Sequence, residues 1–251
     1  MASAEKTSSG SVNPRAVFAT THWSVVLSAA DSDSHHARDA LARLCQSYWY
    51  PLYTYVRRRG YAAHDAQDLT QAFFLRLLER RWVSDADRER GRFRTFLLTA
   101  LQRFLADEWD RGRAQKRGGG VPHVPVQLDS AEIRYGHEPA DQLTPEQSYE
   151  QRWALTLLDT VLQSLRAEYE RAGKAGLFAG LNSSLVGGRE SQPYAELAAQ
   201  LAMNEGAVKV AVHRLRRRYR RLLREEIART TAEAGDVDDE LRHLFAVLAG
   251  A

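Results

Sequence analysis

The chain has 251 residues, 44% of them hydrophobic, with 35 basic and 32 acidic side chains and a formal charge of +3. That length suits one or two domains, and no apolar run approaches the ~18 residues that a membrane-spanning helix requires. The single cysteine, Cys45, excludes an internal disulfide or a multi-cysteine zinc site and points to a reducing cytoplasm.

Residues 1–14 are rich in Ser and Ala, lack an apolar signal core and are expected to be disordered, with no export. Phe18, Trp23, Val25, Val26 and Leu27 then suggest a segment docked on a folded domain. Leu41, Leu44, Cys45, Tyr48, Leu52 and Tyr55 recur at three- and four-residue steps, predicting a helix over 39–59 with Cys45 in the core. Pro51 should kink or divide it, and Gly60 should end it. A second helix is expected over 64–80, with Ala66, Leu69, Phe73 and Leu77 inward and Asp65 and Asp68 in the first turn, where the helix dipole favours them. A third is expected over 92–113. Its apolar face comprises Phe93, Phe96, Leu97, Ala100, Leu101, Phe104, Leu105 and Trp109, and its other face carries Arg92, Thr95, Thr99, Gln102, Arg103 and Arg113. A basic run through Lys116 and Arg117 follows.

Residues 118–143 contain three consecutive glycines and no helical period, which predicts a flexible linker. Thr144-Pro145-Glu146-Gln147 restarts helix with a capping box and proline at the first helical position. Gly173 to Gly188 has no legible assignment. Tyr194, Leu197, Ala198 and Leu201 share one face of a short helix, and Asn204 caps the next after a tight break, with Met203 able to staple onto Val208. Between Glu205 and Arg229 lie nine basic and three acidic residues; from Thr230 to Ala251 five acidic residues stand against Arg242. A basic block beside an acidic tail suggests a polyanion-binding element with an internal competitor.

Two helices joined by a short break, the second strongly basic, is the arrangement that lays a helix in the DNA major groove. Glu205, Gly206, Ala207, Lys209, Val210 and His213 are placed for base edges, and Arg214, Arg217, Arg218 and Arg221 for phosphates. Aromatic and basic residues interleave on the third helix, a mixture suited to single-stranded nucleic acid. Catalytic constellations are not found. His35-His36 reads as solvated, Asp65 and Asp68 lack partner ligands, and Gly118–Gly120 lacks the strand–loop–helix context of a phosphate loop.

Three blocks, in order, resemble the extracytoplasmic-function sigma factors of bacterial RNA polymerase. Asp65-Ala66-Gln67-Asp68-Leu69-Thr70-Gln71-Ala72-Phe73-Phe74-Leu75-Arg76-Leu77 is similar to their polymerase-clamp-binding helix. Phe93-Arg94-Thr95-Phe96-Leu97 through Asp107, Trp109 and Arg111 is similar to their promoter-melting helix, with Arg103 where the family often has asparagine. Tyr194-Ala195-Glu196-Leu197-Ala198 through Asn204-Glu205-Gly206-Ala207-Val208-Lys209 and His213-Arg214 is similar to their second-domain helix–turn–helix.

The resemblance implies an all-α fold of two small helical domains on a flexible linker, the second containing the helix–turn–helix. The expected boundaries are a first, region-2-type domain at 15–117, linker at 118–143, a second, region-4-type domain at 144–228 and an acidic extension at 229–251. It further implies core-polymerase contacts through Asp65, Asp68, Gln71 and Leu75, and promoter contacts through Arg92, Arg94, Thr95, Thr99, Gln102, Arg103, Arg113, Lys116 and Arg117. A flipped non-template base would sit at about 82–92. The implied partners are the clamp helices and flap of core polymerase, promoter DNA as duplex and melted strand, and an anti-sigma factor. No catalytic residue, metal or cofactor is implied. The competing reading is a helix–turn–helix regulator that acts without polymerase. In the extension, Val237, Leu241, Leu244, Phe245 and Leu248 form an apolar stripe, which predicts a helix that restrains the second domain or takes part in regulation.

Overall fold

The computed structural model describes residues 35–78, 92–114, 132, 134–136, 143–185, 192–231 and 236–250, with side chains from 47 in the first helix and as far as 111 in the third. Their regular structure is all helical, with no strand among them. In chain order they form α1 (His35–Arg58), α2 (Ala63–Leu78), α3 (Phe93–Ala114), α4 (Pro145–Arg171), α5 (Ala175–Leu181), a 3-10 turn (Asn182–Leu185), α6 (Tyr194–Gln200), α7 (Glu205–Thr230) and α8 (Asp236–Ala249). The expected docking segment before α1, the Cys45 side chain and the polar stretch before α3 lie outside the described residues.

α1 runs unbroken through Pro51, where the sequence predicts a kink or a division. A proline inside a helix costs about 3 kcal/mol. Tyr48, Leu52 and Tyr55 flank it on one face and are fully buried, each contributing roughly 1.5–3 kcal/mol, so burial outweighs the lost bond. Gly60 ends the run at φ +94°, a conformation in which glycine avoids the strain of a side chain.

Two cores organise the molecule. The first joins Tyr48, Tyr55, Phe73, Leu77, Phe93, Leu97, Leu101 and Phe104 with Tyr149, Trp153, Leu157 and Val161 of α4, Leu223 and Ile227 of α7, and Leu244 of α8. Tyr48 meets Phe93 edge-on at 5.5 Å, and Phe73 meets Phe104 at 5.8 Å. The second core joins Leu165 of α4 with Phe178, Leu181, Leu197, Val208, Val212 and Leu215. α4 is therefore common to both: its N-terminal part packs along α1, and its C-terminal part supports α5 to α7. The linker expected over 118–143 is helical at 132 and 134–136. That turn docks on α1: Arg57 grips Glu132 through two nitrogens, at 2.8 and 3.2 Å, and lies 4.7 Å over Tyr135, while Arg134 lies 4.2 Å over Tyr50.

The caps follow the sequence closely. Thr144 accepts from the Gln147 amide while the Gln147 side chain accepts from the Thr144 amide, completing the capping box, with Pro145 in the first helical position. Asn204 accepts from the Ala207 amide at 2.7 Å. The unassigned stretch from Gly173 resolves as α5 and the 3-10 turn, held down by Phe178 and Leu181 in the second core. Arg216 of α7 adds two bonds to the Ser184 carbonyl, at 2.6 and 2.9 Å.

Candidate nucleic-acid interface

On α2, Ala66, Phe73 and Leu77 turn inward. Asp65 and Leu75 are exposed, and Asp68 and Gln71 are half-buried beside them. The residues proposed to touch polymerase thus lie at three- and four-residue steps, on one side of the helix. Leu75 is 47% exposed, and a leucine presented among polar neighbours gives such a face an apolar centre.

The outer face of α3 carries Thr95, Thr99, Gln102, Arg103, Ala106 and Trp109, all exposed. Gln102 donates to the Tyr55 hydroxyl at 3.1 Å, and Thr99 to the Thr95 carbonyl at 2.9 Å. Trp109 is 61% exposed, although its spacing predicts a core position. It lines an open groove of about 900 Å³ with Tyr55, Arg59, Tyr61, Asp65 and Gln102. The side chain of Arg113 and the residues Lys116 and Arg117 lie outside the described side chains.

Arg94 departs from its expected place. It is 3% exposed, and its guanidinium is committed to two carboxylates, Glu240 of α8 at 2.7 Å and Glu150 of α4. Its plane also covers Trp153 at 4.8 Å. Burial alone would lower its pKa. Its bond to Glu240 and the charges of Glu150 and Glu240 outweigh burial and hold it above the ordinary value. Arg92 reaches the same Glu240 at 2.8 Å, and His243 of α8 lies 3.0 Å from Glu150. The acidic helix thus turns one carboxylate, 1% exposed, into the protein. Of its predicted apolar stripe only Leu244 is fully covered, and Phe245 is 59% exposed.

α6 and α7 are joined by residues 201–204. Val208, Val212 and Leu215 anchor α7 in the second core, which leaves Glu205, Gly206, Lys209, Val210, His213, Arg214, Arg217 and Arg221 exposed, with Ala207 half-buried. Arg218 differs: it is bonded to Glu168 of α4 and braces the two helices. That bond, working against burial, holds the Glu168 carboxyl below the usual carboxylate range. Val210 is 50% exposed, an apolar point on an otherwise polar face. The signals behind Glu150 and Glu240 were not legible, because isolated acidic residues on a polar helix face look the same whether solvated or paired.

Among the described residues no group of three or more His, Cys, Asp or Glu could hold a metal ion, and no helix is long and apolar enough to cross a membrane. Comparison with curated proteins and with solved structures gives no match. A scan against family models matches residues 44–115 to Sigma-70 region 2. The stretch that folds as most of α1, all of α2 and α3, and carries both exposed faces described first, is a Sigma-70 region 2 domain.

Proposed function

We propose that this chain is a sigma factor of the extracytoplasmic-function type, which binds core RNA polymerase, recognises a promoter and opens it, without covalent chemistry of its own. The observation that carries the reading is the Sigma-70 region 2 match over 44–115. Within it, Asp65, Asp68, Gln71 and Leu75 form the polymerase-facing stripe of α2. Thr95, Thr99, Gln102, Arg103 and Trp109 form the face of α3 that meets melted DNA, where backbone charge and base faces are contacted together.

The second functional unit is α4 to α7. α6 and α7 act as the helix–turn–helix, with Glu205, Lys209, Val210 and His213 toward base edges and Arg214, Arg217 and Arg221 toward phosphates. Three features support this: the cap at Asn204, the burial of Val208, Val212 and Leu215 behind the turn, and the exposure of the basic face. An anti-sigma factor is a further candidate partner, and the cytoplasm the expected compartment.

The test is transcription in vitro with core polymerase on genomic fragments, with co-purification of core alongside. Start sites that appear only when this protein is added are expected, together with a stable core complex. Binding to duplex DNA without binding to core would establish instead a regulator that acts without polymerase. Absence of both would overturn the proposal.

A further inference from the structure

Between α3 and α4 the chain seats a short helical turn, at 132 and 134–136, on α1. Arg57 holds Glu132 through two nitrogens, at 2.8 and 3.2 Å, and donates a third bond to the Tyr61 carbonyl at 2.7 Å. Tyr53 donates its hydroxyl to the same carboxylate. Tyr135 stands edge-on to Tyr53 at 6.4 Å and under Arg57 at 4.7 Å, and Arg134 covers Tyr50 at 4.2 Å. These anchors, Tyr50, Tyr53 and Arg57, belong to α1 inside the Sigma-70 region 2 match, and both tyrosines are buried in the first core.

Two physical arguments make this more than a passing contact. A guanidinium forked onto a carboxylate, and itself fixed by a bond to backbone, is preorganised, so little side-chain freedom is lost when the turn seats. Burial raises the Glu132 pKa, but the bonds from Tyr53 and Arg57 outweigh it and hold the carboxyl below its ordinary range, so the pair is charged at neutral pH. The seated turn also changes what the chain can reach. Fully extended at up to ~3.6 Å per residue, the chain from Ala114 to Thr144 would span about 110 Å, and from 136 to Thr144 only about 29 Å. A module on a long tether meets its second site at an effective concentration that varies slowly with distance, whereas a tether near its limit loses that site abruptly.

We propose that the 132–136 turn is a spacer clip. It stays seated on α1 while the helix–turn–helix is engaged, keeps the start of α4 within short reach of region 2, and so makes the protein selective for the distance between its two promoter elements. The inference rests on the sigma-factor reading above. Each added base pair moves the elements about 3.4 Å apart and turns one about 35° relative to the other. A free linker follows several such steps; a clipped one does not.

The test takes a promoter found by the start-site mapping above and lengthens its spacer by one to three base pairs, with transcription by core polymerase and the full chain as the readout. Wild-type activity should fall roughly tenfold by the third added base pair. Glu132→Ala combined with Tyr135→Ala should bind core as wild type does and lose no more than about threefold over the same series. A second arm decides the matter should that variant fold poorly. Arg57→Cys and Glu132→Cys, in a Cys45→Ser background, are joined by a short thiol crosslinker. Bridged, the protein should reproduce the wild-type activity and spacing profile; unbridged, it should tolerate the longer spacers. A wild type indifferent to spacer length, an unclipped protein with the wild-type profile, or a bridged protein that fails on the native spacer where the unbridged one works overturns the clip and leaves the sigma-factor reading standing. Absence of both core binding and transcription with wild type overturns both.

Discussion

Trp109 leaves 61% of its surface in solvent on a helix whose other aromatic residues are largely covered. Burying such a ring contributes heavily to a core, and the open position suits the proposed contact with melted DNA. Stacking of a base on an aromatic ring is worth about 1–3 kcal/mol. Trp109→Ala is therefore expected to weaken bubble-DNA binding by roughly 5- to 150-fold, with little change in the unfolding midpoint because few contacts are lost. Fluorescence anisotropy and chemical denaturation on one preparation measure the two; a large stability loss with unchanged binding would return Trp109 to a packing role. The spacing of Phe93, Leu97, Leu101, Phe104 and Leu105 identified the inner face of α3 correctly. It could not place Trp109, because periodicity gives a direction around a helix and not the presence of a neighbour at that height. Arg94 shows the converse: by sequence a basic residue beside that face is indistinguishable from a surface contact, and its burial depends on carboxylates far away in sequence.

At the scale of elements, the helix ends provide a paired comparison. α4 closes with Gly173 at φ +69°, the Lys174 amide reaching the Tyr169 carbonyl at 2.8 Å and the Gly173 amide the Glu170 carbonyl at 3.0 Å. α6 closes the same way, the Met203 amide reaching the Ala198 carbonyl at 2.9 Å, but the left-handed residue is Ala202 at φ +50°. Both are Schellman ends, where glycine is the usual occupant. The left-handed conformation costs a residue with a Cβ roughly 1–2 kcal/mol, and glycine returns part of that as unfolded-state entropy. Ala202→Gly is therefore expected to stabilise the protein by about 0.5–1 kcal/mol, read as a shifted urea midpoint at constant slope. A lower midpoint would mean that the turn is held by something other than its backbone geometry. The capped starts at Thr144 and Asn204 were legible because a cap is a local event between residues three apart. α5 and the 3-10 turn were not. Their sequence is rich in glycine, and what makes them helical is distant: the second core, and Arg216 bonded to the Ser184 carbonyl.

Across the whole molecule, the expected division at the linker marks where helical periodicity lapses, but it does not separate the cores. α4 contributes Tyr149, Trp153, Leu157 and Val161 to one and Leu165 to the other. Composition between 118 and 143 describes the connecting chain; whether the helices it connects then pack together is decided by complementary faces, which a single sequence does not display. Cores that share a continuous helix cannot unfold independently without breaking it. A single calorimetric transition, with van't Hoff and measured enthalpies equal, is the expected outcome. Two resolved transitions would mean that the α4 junction carries little coupling.

α4 also acts as an axle. Its 27 residues span about 40 Å at 1.5 Å per residue, and each residue advances the helix by about 100°. One residue inserted between Val161 and Leu165 would turn the end of α4 that carries the second core by that angle relative to the first, and α7, which seats Val208, Val212 and Leu215 in one core and Leu223 and Ile227 in the other, could follow only by giving up part of one of them. The bearing of the two proposed DNA-facing surfaces is thus recorded as a phase, in the count of residues along one helix.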